Sequence, residues 1–174
     1  MSNNYEMKIY ATNLGRYVEG DLVGEWVSLP LQEDLQDILK RNGYDSLHEE
    51  FFITDFEQNY NLFDVGEYTS IERLSEMCEF VQNLSEYELE MLCAYTEVEN
   101  KIENLKDLED FNFDYFILYE GQSMEDVAYE LAHECYPDFF ENSNLSYYFD
   151  YNAFARDLSF DGYQETTYGV LYAC

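Results

Sequence analysis

Residues 66–110, in the middle of the chain, read GEYTSIERLSEMCEFVQNLSEYELEMLCAYTEVENKIENLKDLED. Its apolar side chains recur three and four residues apart, at Ile71, Leu74, Cys78 and Val81 and again at Leu89, Leu92 and Cys93. This spacing is typical of the buried face of an α-helix. Two residue pairs have the capping-box spacing that marks helix starts, Thr69 with Glu72 and Ser85 with Glu88. The stretch therefore predicts two amphipathic helices.

Acidic residues recur at helical spacing on the other faces of the same two helices. The first row is Glu72, Glu76 and Glu79, and the second is Glu86 and Glu90. Like charges four residues apart destabilise a helix by about 0.2–0.5 kcal/mol per pair. The stretch has 13 acids against only three bases, so this cost is not relieved by lysine or arginine. A repeated cost without structural benefit indicates that the charge array itself serves the function.

The negative charge extends over the whole chain of 174 residues, whose net charge is −30. Residues 1–65 carry 13 acids and 4 bases, residues 66–110 carry 13 and 3, and residues 111–174 carry 12 and 1. Thirty charges match the phosphates of about 50 Å of B-DNA, or about 15 base pairs. Repulsion excludes nucleic acid and an anionic membrane as partners, and it favours the basic grooves that normally hold DNA. A solvated acidic face and a halophilic surface are the alternatives. The near absence of bases in all three segments argues against the first, and the 18 tyrosines, the 13 phenylalanines and the ordinary hydrophobic content of 47% argue against the second.

The N-terminal segment predicts a small sheet with one helix packed on it. Residues 8–13, 22–29 and 51–56 read as strands, with a turn at 14–16. Pro30 is predicted to open the helix, and Gly43 to end it, because proline suits the first turn and glycine the position after the last. His48 is predicted to lie in a loop. Residues 1–65 are therefore expected to form an N-terminal α+β domain, followed by a helical middle domain at 66–110.

The C-terminal segment, residues 111–174, predicts a second sheet with helices. A third helix of the middle domain is expected at 98–108, before a strand at 113–119 that Gly121 ends. Ser123 with Asp126 caps a helix that Pro137 stops. Its buried stripe is Met124, Val127, Leu131 and Cys135, and its outward row is Asp126, Glu130 and Glu134. Short helices are expected within 145–159 and terminal strands within 163–173, with a turn near Tyr168.

The motifs of catalysis and of cofactor binding are not found in the sequence. There is no EF-hand loop, no phosphate-binding loop and no nucleophile elbow. Glu130 and His133 form one Glu-x-x-His half-motif, but a di-iron bundle needs a second copy. With 38 acids, chance carboxylate pairs are inevitable, so a glycoside hydrolase stays an alternative. We predict a protein that is not an enzyme and that has no cofactor or metal.

The cysteines and the N-terminus indicate a reducing compartment. The four cysteines have neither disulfide nor metal spacing, and Cys78, Cys93 and Cys135 fall at apolar helix positions, where free cysteine behaves as a small hydrophobe. The first ten residues lack the apolar core of a signal peptide, and no apolar run approaches the length of a transmembrane helix. A cytoplasmic protein is expected.

The chain resembles the ArdA-type antirestriction proteins along nearly its whole length. The matching blocks are IYATNLGRY at 9–17, EG at 19–20, VGEW at 23–26, EYTSI at 67–71, DY at 150–151 and RDL at 156–158. The resemblance implies an elongated, curved α+β protein of three small domains with a highly acidic surface. It implies a homodimer joined through the C-terminal domain. It also implies a mimic of bent B-DNA, carried by mobile genetic elements, that occupies the DNA groove of type I restriction-modification enzymes.

The hypothesis from the sequence is therefore that carboxylates stand in for phosphates. The candidate contacts are Glu72, Glu76, Glu79, Glu86, Glu90, Asp126, Glu130 and Glu134. Because many dispersed charges share the attraction, no single one is expected to be decisive. Crowding is expected to raise the pKa values of these carboxyl groups. The alternative is an acidic adaptor or a mimic directed at another DNA-binding protein, such as a nucleoid protein.

Overall fold

The computed structural model describes residues 3–99 and 101–174. The described chain forms two compact units, each with its own three-stranded antiparallel sheet. The first unit extends to Leu89 and also includes Lys101–Phe111, and the second unit holds the other described residues. The mixed α and β class predicted from the sequence is confirmed. The division at residues 65 and 110 stays a prediction.

The sheet of the first unit has the order β2-β1-β3. Its strands are β1 (Met7–Asn13), β2 (Gly24–Leu29) and β3 (Phe51–Gln58), close to the three predicted ranges. The central strand pairs Ile9 with Val27 on one side and with Phe56 on the other. Ile9 and Val27 are buried while Lys8 and Ser28 are exposed, as expected for a sheet with one face on the core. The helices of this unit are α1 (Leu14–Glu19), α2 (Leu35–Arg41), α3 (Ile71–Gln82) and α5 (Leu105–Glu109).

Two predicted boundaries in this unit are wrong. Residues 14–16, predicted as a turn, begin α1, because the side chain of Asn13 accepts a hydrogen bond from the backbone of Arg16 and caps the helix. Pro30 does not open α2. The helix begins five residues later because Asp34 supplies a side-chain oxygen that accepts from the N–H of Gln36, and proline has no such acceptor.

The helical middle of the chain is confirmed in its first two helices and not in its third. Helix α3 begins after Ser70, whose side chain caps it in place of Thr69. Helix α4 (Glu86–Val98) begins at the predicted capping box, where Ser85 and Glu88 bond reciprocally. The prediction of one helix over 98–108 is wrong. Ile102 instead forms a parallel β-bridge with Phe63. The short helix α5 begins after Asn104, whose side chain caps it.

The sheet of the second unit has the order β4-β6-β5. Its strands are β4 (Phe116–Glu120), β5 (Tyr163–Thr166) and β6 (Gly169–Ala173), and its other helices are α6 (Met124–Cys135), α7 (Pro137–Asn142) and α8 (Tyr151–Leu158). Helix α6 packs on α8. A core cluster combines Val127 and Ala128 of α6, Ala155 and Leu158 of α8 and Val170 of β6.

Three details of the second unit differ from the prediction. Residues 113–115 form a 3-10 turn, so β4 is shorter at its start than the predicted strand. Cys135, predicted in the buried stripe of α6, is exposed, because it is the last residue of the helix and the buried stripe ends at Ala132. Pro137 stands at the first turn of α7, where its missing N–H costs no hydrogen bond, so it also begins a helix.

Candidate functional site

The carboxylates of the chain lie at its surface. None of the 38 Asp and Glu side chains is buried, and 34 of them are exposed. The four that are half-buried are Glu25, Asp45, Glu88 and Glu90. An ionised carboxylate is strongly disfavoured in an apolar interior unless it is paired. The surface is therefore the only place where so large an excess of acids can be held in a folded chain.

The eight bases do little to neutralise these acids. Six of the bases form ion pairs with carboxylates within 4 Å. These pairs are Lys8 with Glu57, Arg16 with Glu19 and Asp45, Lys40 with Asp37, Arg41 with Glu25 and Glu33, Lys106 with Asp110, and Arg156 with Asp157. Arg73 and Lys101 donate instead to the backbone carbonyls of Glu103 and Asn61. In the described part of the chain, therefore, no lysine or arginine pairs with the outward rows of α3 or α6.

The outward row of α3 consists of Glu72, Glu76 and Glu79, all exposed. The opposite face of the helix buries the predicted stripe of Ile71, Leu74, Cys78 and Val81. With a rise of 1.5 Å per residue, the three carboxylates span about 10 Å along the helix axis. Arg73 lies within this range but reaches away, its guanidinium 2.6 Å from the carbonyl of Glu103. The row therefore presents three negative charges that form no ion pair with a lysine or arginine of the described chain.

The two candidates on α4 differ from each other. Glu86 is exposed, whereas Glu90, predicted to point outward, is half-buried. Glu88 of the same helix is engaged in the cap, where its carboxylate accepts from the backbone N–H and the hydroxyl of Ser85 at 2.7 Å each. These hydrogen bonds lower the pKa of Glu88. Helix α4 therefore offers a less uniform row of charge than α3.

The outward row of α6 consists of Asp126, Glu130 and Glu134, all exposed. Asp126 also completes the capping box, because its carboxylate accepts from the hydroxyl of Ser123 at 2.6 Å and from its N–H at 3.0 Å. Glu130 accepts from the side-chain amide of Gln122 at 3.1 Å. The row thus spans about 12 Å of helix, and two of its members are held in place by neighbouring donors.

The expectation that crowding raises the pKa values of the candidate carboxyl groups is wrong for Asp126, because hydrogen bonds from Ser123 to the charged form lower its pKa. Hydrogen bonds also lower the pKa values of three carboxyl groups outside the candidate set. Their partners are Arg41 for Glu33, the backbone of Leu47 and then His48 for Asp45, and Ser85 for Glu88. At Asp126, therefore, local donors outweigh the repulsion between exposed charges.

A cluster around His48 was not foreseen from the sequence. His48 lies in a loop, as predicted, but it is buried, with 8% of its surface exposed. Its Nδ1 is 2.8 Å from Asp45 and its Nε2 is 3.1 Å from Glu19, while Arg16 also reaches Asp45 at 3.0 Å. Hydrogen bonds to Glu19 and then Asp45 raise the pKa of His48. The cluster joins α1 to the loop before β3. Its i,i+3 pairs, Arg16 with Glu19 and Asp45 with His48, are visible in the sequence, and the contacts between the two pairs are not.

Groups of residues suited to metal chemistry are absent from residues 3–99 and 101–174. No three histidine, cysteine or acidic side chains there are placed to hold a metal ion. His133, of the Glu-x-x-His half-motif, packs on the ring of Phe140 at 4.0 Å and bonds the hydroxyl of Tyr151 at 3.0 Å. Its place is therefore in an aromatic cluster. Among the described helices none has the length and apolar character to span a membrane.

Comparison with known families gives one assignment. The family model described as "Antirestriction protein (ArdA)" matches residues 9–172 of the 174. The match covers both compact units and all eight candidate carboxylates. No curated protein matches the chain.

Proposed function

Because the chain belongs to the ArdA family of antirestriction proteins, we propose that it inhibits type I restriction-modification enzymes by occupying the groove that binds DNA. Membership in the family implies an antirestriction function and restriction enzymes as partners, and the family is not a catalytic one. Our proposal adds that the inhibitor mimics B-DNA and that its target is a type I enzyme.

The observation that carries this proposal is the uncompensated charge of the surface. Thirty-four carboxylates are exposed, and the lysine and arginine ion pairs of the described chain engage only six of them. A DNA-binding groove is lined by lysine and arginine placed for phosphates. Its attraction to this surface needs no new recognition chemistry, because a carboxylate accepts the same charge-assisted hydrogen bonds as a phosphate.

The helical rows are the part of the surface best suited to this role. Successive carboxylates on α6 rise about 6 Å along the axis, and those on α3 about 5 Å on average. One DNA strand has a phosphate every ~3.4 Å of axis, so a single row carries a lower charge density than a strand. Several rows must therefore act together. The proposal accordingly includes the curved, elongated arrangement of segments 1–65, 66–110 and 111–174 that the resemblance implies.

The proposal also includes a homodimer joined through residues 111–174. Exposed aromatic side chains support it, since each can bury a large apolar area in an interface. Those of Tyr147, Tyr148 and Phe160 are exposed by 80% or more. Light scattering coupled to size exclusion gives the mass directly: a dimer of the 20.7 kDa chain is expected, and a monomer at micromolar concentration overturns this part of the proposal.

The experiment that tests the function is a cleavage assay. A purified type I enzyme is incubated with unmodified plasmid and increasing concentrations of the protein, and methylation of the same plasmid is followed in parallel. We expect cleavage to be inhibited, and the inhibition to weaken steeply with salt, because screening shortens the reach of charge to about 8 Å at 0.15 M. Cleavage that continues unchanged contradicts the proposal.

A second measurement separates the alternative target. If the protein is directed at a nucleoid protein, it displaces that protein from DNA and leaves cleavage unaffected. Fluorescence anisotropy of a labelled duplex, bound first by the type I enzyme and then by a histone-like protein, distinguishes the two. We expect the protein to release the duplex from the restriction enzyme at a far lower concentration than from the histone-like protein.

By the same proposal the protein acts in the cytoplasm of a cell that has received a mobile genetic element.

A further inference from the structure

A shallow groove of about 650 Å³ lies between helix α1 and the loop at residues 46–50, within the first unit. We name it the α1 groove. Its apolar lining comes from Leu14, Val18 and Leu47, and its acidic lining includes Glu49 and Glu50. Val18 is 78% exposed and Leu47 is 84% exposed. Two large aliphatic side chains therefore stand open to solvent on one concave surface of a very acidic protein.

Single exposed aliphatic residues are ordinary, and they need no explanation. The α1 groove differs because its open aliphatic side chains share a concavity and are bordered by carboxylates. Concave apolar surfaces with a few convergent polar groups are the usual form of binding sites. The acidic border excludes an anionic ligand and favours one with positive charge beside an apolar group.

The walls of the groove are held rigidly from beneath. The side chain of Asp45 accepts hydrogen bonds from the backbone of Leu47 at 2.8 Å and of His48 at 3.1 Å, which fixes the tight turn that presents Leu47 outward. His48 then reaches Glu19 of α1 at 3.1 Å. The ring of His48 packs so closely on Gly15 that an added Cβ would lie 2.6 Å from its Cδ2. Such preorganisation lowers the entropic cost of binding.

We propose that the α1 groove binds a short basic segment of the restriction enzyme that carries at least one aliphatic or aromatic side chain. The inference rests on the proposed function and adds a contact that phosphate mimicry does not contain. Charge alone attracts every basic DNA-binding cleft, so it cannot distinguish a restriction enzyme from other such proteins. A branched aliphatic side chain has no counterpart among the phosphates of DNA, and it supplies the difference in affinity that specificity requires.

The test replaces Leu47 by serine and compares Leu22→Ser as a matched control. Leu22 belongs to the same unit and is equally open, at 81% exposure, but it does not line the groove. Inhibition of a purified type I enzyme is measured at several salt concentrations. We expect Leu47→Ser to weaken inhibition roughly tenfold at every salt concentration, because the lost contact is apolar. The Leu22→Ser variant should inhibit within about twofold of the unmodified protein.

The acidic border is tested by its salt dependence. Glu49→Gln combined with Glu50→Gln removes charge and keeps the apolar lining, so it should flatten the dependence of inhibition on salt. Leu47→Ser should leave that slope unchanged. Val18→Ser, from the opposite wall, repeats the apolar test if the loop variant fails to fold. Thermal unfolding of each variant checks that the fold is kept.

The outcomes separate this proposal from the proposed function. If the unmodified protein does not inhibit the type I enzyme, the proposed function fails. If it inhibits and Leu47→Ser and Val18→Ser do so equally well, the proposal of a groove contact alone is overturned. Equal weakening by Leu22→Ser also overturns it, since the effect then is not specific to the groove. A changed mass of Leu47→Ser in light scattering assigns the groove to a second copy of the chain, and this too contradicts the proposal.

Discussion

The variant Glu76→Gln/Glu79→Gln should make the protein more stable and a weaker inhibitor. Glu76 stands between Glu72 and Glu79 on the exposed face of α3, so the variant removes both like-charge contacts of the row. Glu79 also stands in the last turn of this helix, which contains no base. A negative charge there opposes the helix dipole. Glutamine keeps the length of the side chain and nearly the same helix propensity.

The size of the gain follows from these contacts. Two like-charge pairs at about 0.2–0.5 kcal/mol each and one acid at a helix C-terminus at about 0.3–1 kcal/mol add to about 0.7–2 kcal/mol of unfolding free energy. For a chain of this length one kcal/mol shifts the melting temperature by about 2–4 °C. We therefore expect a rise of about 1–8 °C in low-salt buffer, measured by calorimetry or circular dichroism.

The loss of inhibition is expected to be moderate. Exposed ion pairs contribute about 0.2–1 kcal/mol each, so removing two phosphate-like charges should weaken inhibition about 2- to 30-fold. The control is Glu6→Gln/Glu67→Gln, which removes the same net charge from two exposed positions outside helices. It should have little effect on the melting temperature and a smaller effect on inhibition.

Two results would refute this reasoning. If the control weakens inhibition as much as the α3 variant does, net charge rather than the layout of a row determines binding. If the α3 variant is no more stable than the unmodified protein, the row carries no energetic cost, and the argument that it is kept for function loses its basis.

Three further predictions concern stability. Ser123→Ala removes the cap of α6 and should lower the unfolding free energy by about 0.5–2 kcal/mol in a urea titration, and Ser123→Thr, which keeps the acceptor, should lose less. Glu19 and Asp45 raise the pKa of His48. The stabilisation of the fold by protonated His48 is therefore complete below the ordinary histidine pKa of ~6.5, and it is lost as pH rises through the raised pKa. A melting profile of His48→Gln that keeps the same decline with rising pH contradicts this assignment. Gly169 has φ +131°, and an added Cβ would clash with the backbone of β4. Gly169→Ala should therefore destabilise the second unit by ~1–3 kcal/mol or more. An unchanged urea midpoint would disprove the close approach.

Local sequence patterns correctly predicted several features whose determinants lie within one or two helical turns, although they missed the caps at Asn13, Asp34 and Ser70. The stripe from Ile71 to Val81 is buried, and the capping boxes at Ser85 and Ser123 are formed as predicted. A hydrophobic period and a cap are interactions between residues three or four apart. The outward position of the acidic rows of α3 and α6 follows from the same period, since the face opposite a buried stripe is exposed, whereas Glu90 of α4 is half-buried.

Patterns failed where a competing partner lies far along the chain. Ile102 has helical spacing with its neighbours, yet it pairs with Phe63, and that pairing ends the predicted third helix. His48 gave no signal beyond its loop, because Glu19 is 29 residues away. Cys135 continues the apolar spacing of α6, but the chain turns into α7 at that point and leaves it exposed.

The charge, the family and the buried faces of α3 and α6 could be predicted from the sequence, because composition and local spacing are read directly from the order of the residues. It could not determine which bases are directed to backbone carbonyls, or that Val18 and Leu47 share a groove. Those features depend on residues brought together from separate elements. Only the folded chain decides them, since burial and hydrogen bonding are set by neighbours in space.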